Sequence, residues 1–191
     1  ELRFMARMVN ATQDATCRQS FDRGLAYVLT AQYPNGGWPQ FFPLRKGYFD
    51  HITFNDGAMV RVLQLIREVA TEKTYAFLDA KTRAACQQAF DRGIACILKC
   101  QIIVDGKPTV WCAQHDEKTF TPAKARSYEL PSFSGSESVG IIRLLMSLEN
   151  PSPEIRASIE GAIAWFEAHK VTGQRLETKK NLLGTPDLVM V

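Results

Sequence analysis

The chain has 191 residues, a length that predicts one domain with a buried core. Its formal net charge of +3 is too small to indicate nucleic-acid binding, although it does not oppose an acidic ligand. No apolar run approaches the roughly 20 residues that cross a membrane. We therefore expect a single domain over residues 1–191, with no nucleic-acid partner and no membrane partner.

An internal repeat predicts three equivalent helices. The segment Phe21–Gln32 (FDRGLAYVLTAQ) returns as Phe90–Gln101 (FDRGIACILKCQ), with seven of twelve positions identical. At the same step, Leu25–Tyr27 maps onto a fainter third copy at Ile163–Trp165. Each copy has apolar residues at i, i+3, i+4 and i+7, which is typical of a helix with one buried face.

A second amphipathic segment precedes each copy. These segments are Leu2–Ala11, Ala58–Ala70 and Val139–Leu148. Repeats of this size indicate helical units that bury their apolar faces on one another. The sequence thus predicts an all-α fold of three antiparallel helical hairpins with almost no strand, arranged as a bundle, a solenoid or an α/α toroid.

Two long linkers interrupt the hairpins, at residues 33–56 and 102–136. Loops longer than about 12–15 residues are uncommon in compact domains and are usually functional or disordered. The many aromatic residues favour order, and both linkers follow equivalent helices, so we expect them on the same face. The first linker begins QYPNGGWPQFFP, where we favour an anchoring role for Phe41 and Phe42, while Trp38 either anchors the loop or walls a groove.

Polar clusters on these linkers have two interpretations. Asn55 or Asp56 is a plausible N-cap for the following helix, and capping is favoured for the SGSES stretch (Ser134–Ser138). Alternatively, Asp56 and Asp116 offer the oxygen ligands that suit Ca²⁺. The three histidines do not have zinc-ligand spacing.

The five cysteines include no CxxC pair, and their odd number leaves at least one unpaired. We expect buried free thiols.

Three segments resemble the pectate lyases of polysaccharide lyase family 10: AQYPNGGWPQFFP, ITFNDGAM and AQHDEKTFTPAKARSYELPSFSGSESVGI. The resemblance extends from the first helix to about Arg175. It implies an incomplete α/α toroid with long functional loops and a groove on one face. It also implies Ca²⁺-dependent cleavage of polygalacturonate (pectin) by β-elimination, which leaves 4,5-unsaturated oligogalacturonides.

The resemblance also implies roles for particular residues. It assigns Ca²⁺ ligation to Asp56 and Asp116, and Gly57 stands where the family pattern has an asparagine, which removes one side-chain oxygen. The expected substrate-binding residues share an ability to contact a sugar ring or its carboxylate: Trp38, Asn55, Lys124 and Arg126.

The catalytic base is an arginine in this family, C-terminal to the third hairpin, so we expect it beyond residue 191. Arg126 is a weak candidate within the chain, and Arg175 is a further alternative. By the resemblance, the chain is a core fragment of the catalytic domain, truncated at both ends. A secreted or periplasmic monomer is expected.

Two other functions stay open. The first is a non-catalytic module that binds acidic polysaccharide through the same groove without the base. The second is a helical-repeat interaction protein whose linkers bind a peptide.

Overall fold

A computed structural model describes residues 1–180 and 186–190, and in this part of the chain the fold is mainly helical. Six α-helices occur: α1 Leu2–Thr12, α2 Ala15–Thr30, α3 Ala58–Thr71, α4 Ala80–Cys100, α5 Gly135–Met146 and α6 Pro153–His169. Helices pack in consecutive pairs, α1 with α2, α3 with α4, and α5 with α6. The prediction of three helical hairpins is confirmed. None of the described helices is both long enough and apolar enough to span a membrane.

The second helix of each hairpin begins at a side-chain cap. Asp14 accepts a hydrogen bond from Thr16 N at 2.7 Å to start α2, and Asp79 accepts one from Thr82 N at 2.7 Å to start α4. Ser152 caps α6 with Pro153 in its first turn. By contrast, no side chain caps α3 or α5. α3 instead follows a 3-10 turn in which Ala58 N donates to Asn55 O.

The core lies around α3 and α4. Met59, Leu63 and Ile66 of α3 are fully buried, as is Ile97 of α4. The two helices approach so closely at Gly93 that a Cβ there would lie 2.3 Å from Leu63 Cδ2. α5 also packs on α3, and α6 on α4, which makes the middle hairpin the centre of the domain.

Three short antiparallel ladders complete the described fold. They pair β1 Ile52–Thr53 with β4 Gln114–His115, β2 Ile103–Val104 with β3 Lys107–Pro108, and β5 Leu176–Lys180 with β6 Pro186–Met190. The five-residue ladder of β5 and β6 was not predicted, because it lies C-terminal to the repeated segments from which the fold was inferred. All five cysteines are free thiols, and four of them are buried, as expected.

Candidate functional site

The two long linkers meet at the β1–β4 ladder, which pairs Ile52 with His115 and Thr53 with Gln114. Beyond the ladder, Ala113 O accepts hydrogen bonds from both Phe54 N and Asn55 N, at 2.8 and 2.9 Å. Polar residues that are about 60 positions apart in the sequence are thereby fixed on one face. This confirms the expectation that the linkers share a face.

Asp56 lies exposed in a tight turn immediately before α3. Its backbone is left-handed, with φ 54° and ψ 20°, a conformation that Asp adopts more readily than most residues. The expectation that Asn55 or Asp56 caps α3 is wrong, because Gly57 occupies the cap position and no side chain bonds the helix N-terminus. Instead, Asn55 Nδ2 donates to Asp56 Oδ2 at 3.1 Å. The second carboxylate oxygen and the amide oxygen of Asn55 stay available to a ligand.

A groove of about 360 Å³ opens beside this turn. Its lining includes polar groups from both linkers and from the start of α5: Asn55, Gln114, Tyr128, Glu129, Ser134 and Glu137. Ser134 holds the cap position of α5, but its hydroxyl bonds the carboxylate of Glu137, so the expected backbone cap does not form. The groove is therefore bordered by a helix N-terminus whose N–H groups favour an anionic ligand.

Asp116 closes its own loop. Its Oδ1 accepts hydrogen bonds from Lys118 N at 2.9 Å, from Thr119 N at 2.7 Å and from the Thr119 hydroxyl at 3.0 Å. These bonds, led by that from Thr119 N, lower the pKa of the Asp116 carboxyl. Because Asp116 follows β4 and Asp56 follows β1, the antiparallel pairing places the two predicted ligands beyond opposite ends of the ladder.

Arg126 is exposed but paired with Glu129. Arg126 Nε lies 2.9 Å from Glu129 Oε2, the second guanidinium nitrogen bonds Oε1, and Arg126 N donates to Oε2 at 3.0 Å. The pair raises the pKa of Arg126 above its already high value and lowers that of Glu129 to about 2. A guanidinium stabilised in its charged form is unsuited to remove a proton, so the structure opposes Arg126 as the base. Lys124 is exposed on the same linker.

The structure does not place Trp38 in the groove, which corrects its assignment as a substrate-binding residue. Trp38 is 5% exposed, and its indole N–H donates to Val28 O at 2.8 Å. A Cβ on Gly93 would lie 3.2 Å from its ring, so the side chain is wedged between α2 and α4. Trp38 is an anchor of the first linker.

Of the two phenylalanines expected as anchors, Phe42 contacts a helix, where it meets Tyr27 of α2 edge-to-face at 5.6 Å. Phe41 is exposed and meets Phe49 of its own linker at 5.1 Å, so it does not anchor the loop to the helices. The turn itself requires glycine at Gly36, where φ is +95° and a Cβ would lie 2.1 Å from Arg92 O. The QYPNGGWPQFFP segment thus packs against α2 and α4 and fixes the first linker on them.

Two features escaped the sequence interpretation. Arg61, in the first turn of α3, is exposed, and its Nε lies 3.6 Å from the position that a Cβ on Gly57 would take. The sequence could have indicated this proximity, because Arg61 follows Gly57 by four residues, about one turn of the predicted helix. The second feature is a cluster of Asp50, His51 and Glu117, whose members come from both linkers. Linear spacing cannot show such a cluster without the pairing of β1 with β4.

Fold and groove together define an all-α protein whose two linkers build a polar surface that combines an exposed carboxylate with nearby cations. The chain belongs to the pectic acid lyase family, whose model matches residues 1–191. The family recognised from the sequence motifs is confirmed. A comparison with curated proteins found no significant match.

Solved structures that are similar to this one include two of a bacterial polysaccharide lyase. The family 10 polysaccharide lyase from Cellvibrio cellulosa is 32% identical, with a TM-score of 0.87 over 98% of this chain and 59% of that chain. An aspartate-to-alanine mutant of the lyase from this organism, in complex with trigalacturonic acid, matches with the same identity, coverage and TM-score. The chain therefore spans about three fifths of the length of these relatives.

Proposed function

We propose that the chain is part of a pectate lyase that cleaves polygalacturonate by Ca²⁺-dependent β-elimination. The observation that carries this proposal is the turn at Asp56, where a carboxylate that caps no helix stands exposed beside Asn55 at the groove. Family membership and the relative's complex with trigalacturonic acid support it. We further propose the incomplete α/α toroid, the monomeric state and the secreted or periplasmic location that the family resemblance implies.

Asn55 and Asp56 suit Ca²⁺, because the ion prefers carboxylate and amide oxygens. The family resemblance also implies Asp116 as a ligand, and the hydrogen bonds of its loop fall on Oδ1, which leaves Oδ2 for an ion. Because the ladder places Asp116 beyond the opposite end from Asp56, a shared ion does not follow from the pairing, and ligation by Asp116 stays a prediction. Ca²⁺ takes about six to eight oxygens, so carboxylates of the substrate would complete its coordination. When bound, the ion supplies positive charge where negative charge develops during proton removal from C5.

The cations around the groove would hold the remaining galacturonate carboxylates. Lys124 and Arg61 are exposed, and Arg61 lies over Gly57, next to the proposed metal ligand. Arg126 reaches a substrate only by exchanging the carboxylate of Glu129 for that of a sugar. Its role is therefore binding and not proton removal. The base that the family resemblance implies, an arginine C-terminal to the third hairpin, stays a prediction.

A paired comparison tests the proposed role of Asp56. Asp56→Ala should abolish Ca²⁺-dependent binding of trigalacturonate in calorimetry, with the circular dichroism of the helices unchanged. Asp105→Ala is the matched control, because Asp105 is also exposed and left-handed, with φ 49°, but lies in the β2–β3 turn. Equal Ca²⁺-dependent affinity in the Asp56→Ala variant and wild type would reject this assignment.

The pairing of Arg126 with Glu129 also favours a second candidate function, a non-catalytic module that binds acidic polysaccharide. The migration of such a module would be slowed in gels that contain polygalacturonate, and no unsaturated product would form. A lyase would be slowed in the same gels and would also form the unsaturated product.

A further inference from the structure

We infer that Asp50, His51 and Glu117 form a binding site for a divalent transition metal of the Zn²⁺ type, which ties the first linker to the second. The site differs from the proposed Ca²⁺ site in its residues and in its donor atoms. It does not rest on the lyase activity, because its expected effect is on the stability of the folded chain.

The distances suit a metal better than direct hydrogen bonds. His51 Nδ1 lies 3.7 Å from Asp50 Oδ1 and 3.8 Å from Glu117 Oε2, and the three ligating atoms lie within 4.8 Å of one another. Hydrogen bonds between such atoms are about 2.7–3.2 Å long. An ion slightly off the line between two atoms 3.7 Å apart reaches each at about 2.0–2.2 Å, the usual length of Zn–N and Zn–O bonds.

His51 Nδ1 also lacks a partner. This atom is inaccessible to solvent and makes no hydrogen bond within the described residues, although it faces two carboxylates. A buried nitrogen without a partner is costly, and a bound cation would satisfy it together with both carboxylates. The side chains of Asp50 and Glu117 are 38% and 23% exposed, which leaves access for a water molecule as a fourth ligand.

The backbone around the cluster is held in place by the first linker. Tyr33 OH donates to Asp50 O at 2.6 Å, and Asn35 Nδ2 donates to Glu117 O. Burial, followed by the negative charges of Asp50 and Glu117, raises the pKa of Tyr33 to about 12. Outer contacts of this kind orient the ligands of metal sites. Two residues of the QYPNGGW turn, Tyr33 and Asn35, therefore hold the backbone of this cluster in place.

The donor set indicates the kind of metal. Ca²⁺ and Mg²⁺ prefer oxygen alone, whereas an imidazole nitrogen with two carboxylates suits Zn²⁺ and other first-row transition metals. Glu117 is 117 − 51 = 66 residues from His51, so the ion would cross-link distant segments that are separate in the unfolded chain. An ion that binds only the folded state raises its thermal stability.

Thermal unfolding in ZnCl₂ and in CaCl₂, after removal of metals with EDTA, tests the inference. At a Zn²⁺ concentration 100 times Kd, the wild-type Tm should rise by roughly 5–10 °C. His51→Gln and Glu117→Gln should lose most of that rise, each compared with its own metal-free form. Two control variants should keep it: His169→Gln, because His169 is exposed and outside the cluster, and Cys17→Ser, because Cys17 is the one thiol that is not buried.

Several outcomes would overturn the inference. If Zn²⁺ does not raise the wild-type Tm, the cluster does not bind the metal. A rise that persists in His51→Gln, or that vanishes in either control, places the ion elsewhere. An equal rise with Ca²⁺ that also depends on His51 contradicts the proposed metal type. If a variant does not fold, calorimetric titration of the wild type with Zn²⁺ in excess Ca²⁺ tests the same inference. Binding of Zn²⁺ under these conditions supports the site, and no binding overturns it.

Discussion

Replacing Trp38 tests whether the first linker is anchored through the core. Trp38→Ala would leave a cavity between α2 and α4 and remove the bond to Val28 O, and such changes cost about 3–5 kcal/mol. Trp38→Phe keeps most of the ring. It should cost about 2 kcal/mol, of which about 1 kcal/mol is the lost hydrogen bond.

Urea unfolding followed by far-ultraviolet circular dichroism measures both changes. Tyr128→Ala is the control, because Tyr128 is an aromatic residue at the groove that is 98% exposed, and exposed substitutions usually change stability by less than about 0.5 kcal/mol. A Trp38→Phe variant with wild-type stability but weaker binding of trigalacturonate would refute the anchoring role and restore Trp38 to the groove.

Three further substitutions concern the groove and the two linkers. Gly57→Asn should lower the Ca²⁺ concentration needed for trigalacturonate binding, because the left-handed backbone at φ +70° accepts Asn and the new oxygen would lie beside Asp56. Glu129→Gln should tighten trigalacturonate binding several-fold by releasing Arg126, as calorimetry would show. Asp116→Ala should destabilise the second linker at neutral pH. The pKa of Asp116 is lowered on folding, so its stabilising effect is present above the ordinary Asp range and is lost as the pH falls.

Each of these predictions has an outcome that would contradict it. Gly57→Ala, which adds no oxygen, must not reproduce the gain of Gly57→Asn. Unchanged binding by Glu129→Gln would show that Arg126 does not reach the ligand. For Asp116, thermal unfolding at several pH values should show the largest loss near neutrality, and a constant loss at all pH values would exclude the carboxylate as its cause.

The helical hairpins could be predicted from the sequence, because buried faces recur with the helical period and the Phe21–Gln32 segment is repeated. The meeting of the two linkers was also predictable, since both follow equivalent helices. Apolar periodicity and repetition depend on local geometry, which a single sequence displays directly.

The details of the site depend on tertiary contacts that the sequence does not display. Trp38 is of a residue type that often stacks on sugar rings, yet α4 buries it, because Gly93 leaves room for the ring. Asp56 is of a residue type that often caps helices, yet its backbone is left-handed and Gly57 occupies the cap position instead. Arg126 is neutralised by Glu129 three residues later in a non-helical turn, a pairing that no helical spacing rule covers.

The most direct test of the proposed lyase is to incubate the longer protein, of which we propose the chain is a part, with polygalacturonate and Ca²⁺ and to follow the ultraviolet absorbance of the conjugated unsaturated product. We expect an increase that EDTA abolishes and that Asp56→Ala does not show. Binding of polygalacturonate by that protein with no increase in absorbance would contradict the lyase and favour a binding module.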